Sequence, residues 1–495
     1  MKLYNGVRLL DSPSPANVRR LDHGCLPMIH SMQARGIRVD IPYLKSLQAD
    51  FTDRQSNIEY DLFQSIGNAY QDFDGKVYKP FSVGSPDQVS RLLFHHLQVQ
   101  ESDKLKLTTM GSRETTSDDI LEKYRTRHPA VSMILDWREL NKLLSTYVLP
   151  LQERADGAGR IHTSFSTTTA ATGRLSSKGP NCQNIPTRSR LGKLIRNAFI
   201  CDPGNVLVSC DLSQIEMRWA AHLSQDPTMM GVFFRDEDIH DRTACEIFGR
   251  DLQFITSLKR SILSSPKSEV STSQECSKSS NSKSINNEDL AIYKYFLQFE
   301  RLPAKTLGFG ILYGQTGRGL LESILLSADP EWSPEERARF ETKWTLESCE
   351  LLIHQWYSVY YKIREWMNLQ FYRATRWGMV WCPFGRIRLV PEVYSVHKRI
   401  KAEGLRKSGN HPIQAGAQGT IKLAMAELTP ISSFFNTCGV CWPLLQIHDE
   451  LITEVDKGQA RDWADESRQV MENATPLSIP IKSSSDIAER WGDLK

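Results

Sequence analysis

Residues 444–455 read Leu-Leu-Gln-Ile-His-Asp-Glu-Leu-Ile-Thr-Glu-Val. Two apolar runs flank His448, Asp449 and Glu450, the pattern of two short strands joined by a tight acidic turn. A carboxylate at such a turn is exposed and held on a rigid scaffold. One carboxylate cannot hold two divalent cations, so a second acidic stretch is expected far from the first. Residues 206–211 supply it: Val-Leu-Val-Ser-Cys-Asp, a buried strand ending in Asp211 and followed by Leu212, Ser213, Gln214, Ile215 and Glu216. A strand-end Asp and a hairpin Asp can bridge two Mg²⁺ ions about 3.5–4 Å apart, which suits in-line attack on a phosphate. Taken singly, an Asp-Glu hairpin is ordinary turn chemistry. The remainder of the chain is what gives the pairing weight.

The 61 Lys and Arg nearly cancel the 58 Asp and Glu, a formal net charge of +3, so any basic cleft must be local. A chain of 495 residues has room for a large core and roughly two to four structural units. The 10 Cys are scattered through apolar or mixed runs, which fits reduced thiols inside a cell. Cys438-Gly-Val-Cys441 lacks the second pair a zinc site needs. Residues 1–15 carry no apolar secretory core, and no run approaches the ~20 apolar residues of a membrane span.

Helical spacing dominates the first third of the chain, most clearly over 43–66 and 128–150, with Pro86 opening a further helix behind Ser85. Residues 104–117 are polar and read as a mobile loop. From Arg160 the texture changes. Residues 163–186 are rich in Thr, Ser, Gly, Asn and Pro, and loops of this length are uncommon unless functional. Residues 206–211 form the acidic strand and 215–234 one helix. Of the 28 residues 257–284, 12 are Ser, a composition that cannot offset its ordering entropy by burial and predicts a loosely ordered insertion. Helices resume over 289–374. A hairpin is expected over 379–390 around Pro383-Phe-Gly-Arg386, then a helix over 396–429, the acidic hairpin, and a short terminal helix and strand.

Two further stretches carry chemistry. Thr172-Gly-Arg-Leu-Ser-Ser and Pro180-Asn-Cys-Gln-Asn-Ile-Pro186 offer amides and a guanidinium but few carboxylates, groups that contact minor-groove acceptors; a Ser- and Asn-rich surface loop is the plainer alternative. Arg301, Lys305, Phe309 and Tyr313 fall at four-residue steps, so on a helix they share a face. Two cations and two rings suit a nucleoside triphosphate, although such spacing also marks an ordinary amphipathic helix.

Together these stretches resemble the DNA polymerase I family, the family A polymerases. The motifs are ATGRLSS, PNCQNIP, DLSQIEMRWAAHLS, DIH at 238–240, RLPAKTLGFGILYG, FGRIRLVP, NHPIQ at 410–414 and QIHDELITEV, in order along the chain. The resemblance implies an α+β right hand with an antiparallel palm sheet and mainly helical fingers and thumb. By it, 1–20 is an N-terminal extension, 21–155 the thumb, 156–235 the first part of the palm, 236–395 the fingers with the Ser-rich insertion, and 396–495 the second part of the palm. It implies that Asp211 and Asp449, with the main-chain carbonyl of Leu212, hold two Mg²⁺ ions, Mn²⁺ being able to substitute, and that Glu450 is an auxiliary acid. Lys305 takes a catalytic part and, with His240, Arg301, Phe309, Tyr313, Gln214 and Glu216, meets the dNTP; Glu216 is the steric gate against a 2′-hydroxyl. Arg174, Asn181, Gln183, Asn184, Arg406, Asn410, Gln414 and His448 face primer–template DNA.

Three departures stand out. Leu212 replaces the family's usual Tyr. Leu302-Pro303 replaces a polar or small pair, and Pro303 should restart the helix there, which bears on where Arg301 sits. The Ser-rich segment has no counterpart. No proofreading exonuclease domain fits ahead of residue 21, so trimming is expected from a separate protein or not at all. The compact pattern suits a phage-type or organelle-like replication system: a monomer, intracellular, in the cytoplasm of a phage-infected bacterium or in an organelle, working with a separate exonuclease, helicase–primase or processivity factor. An RNA polymerase is the rival within the fold, against which Glu216 speaks. A non-catalytic DNA-binding factor is the rival outside it, against which Asp211, Asp449 and Lys305 speak.

Overall fold

The computed structural model describes residues 6–67, 81–99, 115–125, 127–186, 190–264, 287–328, 332–437 and 440–494. Its central element is a four-stranded antiparallel sheet in the spatial order Ser483–Ala488, Asn205–Leu212, Glu450–Asp456, Cys441–Ile447. Val206, Leu207, Val208 and Cys210 are all buried, so the central strand is covered on both faces and reads as an unbroken apolar run. Ile447 pairs with Glu450 across a turn of His448 and Asp449, and His448 adopts a left-handed φ of 54°. Helix Ala460–Asn473 is pinned under this sheet by Trp463, whose indole N–H donates to Thr453 Oγ1 at 2.8 Å.

The longest element is the 40-residue helix Lys398–Thr437, with Pro412 and Pro430 inside it. It packs on helix Ile215–Ser224 and on strand Cys441–Ile447. Gly416 and Gly419 let the rings of Trp219 and Phe384 approach its backbone, where a Cβ would strike them.

The thumb is an arm of helix Ile41–Ile66 packed on Pro129–Leu143, which continues through the π-helical turn Leu144–Val148 into Leu149–Arg154. It has its own core of Leu62, Phe81, Leu92, Leu121, Val131 and Ile134. Its start differs from the sequence reading. Helices Pro15–Gly24 and Leu26–Arg35 pack on the long helix, and Met28 and Met32 join the core of the palm sheet. Ahead of them, Leu10 N–H donates to Pro383 O at 2.6 Å and Ser14 N–H to Gly385 O at 3.0 Å. Apolar spacing reveals that these residues are helical; it does not say which neighbour covers the apolar face.

Asp22, on the first of these helices, accepts from Arg386 at 2.6 Å and from Lys422 at 2.7 Å, and Lys422 is 1% exposed. Removing the acid strands a buried ammonium. Asp22→Ala should therefore cost about 3–5 kcal/mol, read as a lower urea midpoint. An unchanged midpoint would mean that the pair contributes nothing to stability.

The fingers are built of helices Ile239–Phe248, Leu252–Ser264, Asn287–Phe296, Leu302–Leu312, Gly317–Leu326, Pro334–Lys343, Leu346–Val359 and Tyr361–Trp377. The antiparallel hairpin Met379–Trp381 and Ile387–Leu389 follows as expected. Two departures have local causes. Residues 215–234 form two helices, because Gln225 turns left-handed at φ 53° and Asp226 caps Pro227–Phe234, accepting from Met229 N–H at 3.0 Å. Helix Leu252–Ser264 runs through the first part of the Ser-rich segment, with Ile255 and Leu258 buried in one cluster with Phe296 and Ala304. Residues 265–286, 104–114 and Cys438 lie outside the described residues. Ahead of Pro303 the helix is π-helical over Leu297–Arg301 and restarts as an α-helix at Leu302, so the missing proline N–H falls in a first turn.

Candidate active site

The sheet register sets Glu450 opposite Asp211, and Leu212 N–H donates to Asp449 O at 3.1 Å. Three carboxylates, two on adjacent strands and Asp449 in the hairpin turn, thus gather at one sheet end, each partly exposed. Desolvation, then Glu450 and Asp449, push Asp211 up to about 7. Desolvation and Glu216 push Asp449 up to about 6, opposed by Arg174 and by Gln418, whose Nε2 donates at 3.0 Å. Glu450 is raised by desolvation while accepting from the Ser209 hydroxyl. Acids crowded in this way repel each other, and a divalent cation relieves the repulsion. The donors are all oxygen, as Mg²⁺ requires. Among the described residues no group of three or more His, Cys, Asp and Glu forms a preformed metal cage. Mg²⁺ does not need one: it takes one or two carboxylates, keeps waters, and completes its shell with substrate phosphates. The residues present fit it.

A hydrogen-bonded chain crosses the mouth of the site. Glu216, 5% exposed, accepts from Arg174 at 2.7 Å and from the Tyr313 hydroxyl at 3.0 Å, and Gln414 Nε2 donates to that hydroxyl at 3.1 Å. This links the 172–174 loop, a palm helix, the fingers helix and the long helix. Gln214 opens the palm helix in a left-handed conformation at φ 55°. Asn410 donates to Leu312 O at 3.4 Å, and the Arg406 side chain covers Gly314. Gln183 donates to Gln446 O at 3.1 Å, bringing its loop onto the acidic hairpin, while Asn181 and Asn184 lie exposed on the adjoining turn. His448 is exposed at the hairpin tip.

The second cluster lies on the fingers. His240 is 4% exposed, with its ring 5.4 Å from that of Phe309. Burial pulls it down to about 4, so it is neutral, and its Nδ1 has no hydrogen-bond partner. Lys305 lies close enough to lower it further by charge. Arg301 precedes helix Leu302–Leu312, and Tyr313 ends it. The expected face is therefore present, but Arg301 is turned onto two carboxylates, Asp238 at 3.0 Å and Asp241.

Sequence reasoning missed Gln418, Ser209, Gln446, Asp241 and Lys259. Gln418 lies one helical turn beyond Gln414 on the same face, which was a usable signal. Gln446 stands as a lone amide in a buried apolar strand.

The architecture is the right-hand palm, fingers and thumb of a polymerase fold. The family DNA polymerase family A matches residues 42–264 and 292–493, and the chain belongs to that family. It is 32% identical over 474 residues to the thermostable DNA polymerase I of Thermus aquaticus, covering 96% of this chain and 48% of that protein. It is 32% identical over 465 residues to DNA polymerase I of Deinococcus radiodurans, covering 94% of this chain and 41% of that protein. The solved structure described as the POL domain of Pol1 from M. smegmatis, in complex with DNA primer-template and dNTP, superposes with a TM-score of 0.74 at 28% identity, over 96% of this chain and 70% of that one. The chain thus spans less than half the length of these two curated relatives. The family match skips 265–291, which moves the start of the insertion beyond helix Leu252–Ser264.

Proposed function

We propose that the chain is a template-directed DNA polymerase that extends a primer 3′-hydroxyl with dNTPs and releases pyrophosphate. The observation that carries this reading is the register of Glu450 against Asp211, with Asp449 beside them, in a family A chain. Asp211 and Asp449, with the Leu212 carbonyl, would hold two Mg²⁺ ions, or Mn²⁺ in their place; bound there, the ions supply Lewis-acid activation of the hydroxyl and neutralise charge on the α-phosphate and the leaving pyrophosphate. The chain's own groups do the rest. Lys305, Arg301 and neutral His240 grip the triphosphate, and Lys305 stabilises charge on the leaving group. Phe309 stacks beside the incoming sugar and base, Tyr313 stands at the templating base, and Gln214 and Glu216 close the sugar side. Arg174, Asn181, Gln183, Asn184, Arg406, Asn410, Gln414 and His448 face the primer–template, where amides and guanidinium groups meet minor-groove acceptors common to every base pair.

Primer extension with Mg²⁺ and labelled dNTPs, repeated with ribonucleotides, tests the reading. Templated dNTP addition is expected; ribonucleotide preference, or no addition, overturns it. Most of the described residues form the polymerase match, and no 3′–5′ trimming is proposed for them. A mismatched primer should stay intact, and metal-dependent release of its last nucleotide after stringent purification would refute the point. A monomeric, intracellular enzyme in a phage-infected bacterium or an organelle, served by a separate exonuclease, helicase–primase or processivity factor, completes the proposal. The eight described cysteines, all free, are in keeping with it. No helix among the described residues is long and apolar enough to cross a membrane.

A further inference from the structure

Arg301 is held by carboxylates on the same helix turn that carries His240. Its Nη2 donates to Asp238 at 3.0 Å and its Nε to Asp241. The other oxygen of Asp241 takes Lys259 Nζ at 2.7 Å. The Asp241 side chain is 7% exposed, Arg301 24% and Lys259 33%. Asp238 also caps helix Ile239–Phe248, accepting from His240 N–H at 2.8 Å and Asp241 N–H at 3.0 Å, so His240 and both acids are oriented as one unit. Neither contact to Arg301 uses Nη1, the outer corner of its fork.

We propose that Asp241 is a positioning residue for nucleotide binding: it fixes Arg301 beside His240 and Lys305, and Lys259 is the counter-charge that keeps Asp241 in place. The proposal rests on the reading of the chain as a dNTP polymerase and deepens it. Arg has many rotamers to lose, so a guanidinium with two anchors is presented to a phosphate at lower entropic cost than one with a single anchor. Without Asp241, Asp238 alone remains, and its side chain is 26% exposed. Arg301 and Lys259 would then face each other as like charges, which drives the guanidinium away from its place. Lys259 touches the carboxylate and acts on Arg301 only through it. None of the motifs quoted above contains it; it lies on helix Leu252–Ser264, within the family match and shortly before the residues that match skips.

The test is single-turnover addition of one nucleotide to a primer–template by the full chain, with dNTP titrated. Asp241→Ala should raise the dNTP Kd about tenfold or more, with DNA affinity within about twofold, because one partner of a charge-assisted bond is lost. Lys259→Met should raise it several-fold. Asp241→Glu should recover part of the loss. The double variant should be no weaker than Asp241→Ala alone, and Asp241→Ala should add nothing in an Arg301→Ala background, since the three act in series. If Asp241→Ala does not fold, the isosteric Asp241→Asn is read in its place. A dNTP Kd that stays unchanged or falls overturns the proposal, because Asp241 would then only compete with the triphosphate for Arg301. A Lys259→Met effect that persists in full without Asp241 also overturns it, because the lysine would then meet phosphate itself. Normal parental turnover with these results sinks the positioning role alone. A parent that adds no dNTP sinks the polymerase reading and this proposal with it.

Discussion

Asp211→Ala and Asp449→Ala should each lower nucleotide addition by more than about a hundredfold, because metal stabilisation of the transition state is worth several kcal/mol. Primer–template affinity should stay close to that of the parent, since phosphate and sugar contacts supply most of it. The geometry sharpens the expectation. Each acid is already displaced from its ordinary range, Asp211 to about 7 and Asp449 to about 6, by desolvation first and by neighbouring acids next. Removing one acid therefore relieves repulsion, so the fold should not suffer while the chemistry fails. A thermal midpoint measured beside the rate separates the two effects. Extension by either variant above about a hundredth of the parental rate would sink the assignment.

Glu216→Ala should raise the ratio of ribonucleotide to deoxynucleotide addition by at least about tenfold, the loss expected when a close steric contact against one hydroxyl is removed. The carboxylate is held from two sides, by Arg174 at 2.7 Å and by the Tyr313 hydroxyl at 3.0 Å, so it cannot swing away from a 2′-hydroxyl. Its removal also frees Arg174 and leaves Tyr313 with Gln414 alone, so deoxynucleotide addition should slow as well. Phe309→Tyr tests the same pocket from the other wall: by family resemblance it should relax discrimination against dideoxynucleotides. Competition assays with mixed nucleotides read both ratios. A sugar preference unmoved by Glu216→Ala would remove it from the gate, and unchanged chain-terminator use would remove Phe309 from the sugar.

The acidic hairpin was legible because two apolar runs separated by three polar residues admit few other structures, and its register then carries Asp449 and Glu450 to Asp211. The fingers helix was legible for the same reason of period. What escaped was of another kind. The break at Asp226-Pro227 was written as a cap followed by a first-turn proline, yet an apolar run on both sides masked it. Ser-rich composition hid the end of helix Leu252–Ser264, although Ile255, Leu258 and Ile262 recur at helical spacing. The docking of residues 15–35 under the palm, and the sharing of Asp241 between Arg301 and Lys259, join residues distant in sequence. No local pattern encodes such pairings.

The long helix Lys398–Thr437 also makes the molecule a convenient subject for spectroscopy. It is locked into the palm by Trp219 and Phe384, so it should not deform while other parts move. At 1.5 Å per residue, dyes at Lys401 and Glu427 would sit about 39 Å apart, a span suited to resonance energy transfer. That distance should stay constant through every turnover. A second pair, Glu427 with exposed Arg318 on the fingers, would report any movement of the fingers against the palm, so the first pair serves as its stationary reference. Thiol labelling is practical once Cys201, Cys276 and Cys438 are replaced, since the other seven cysteines are buried.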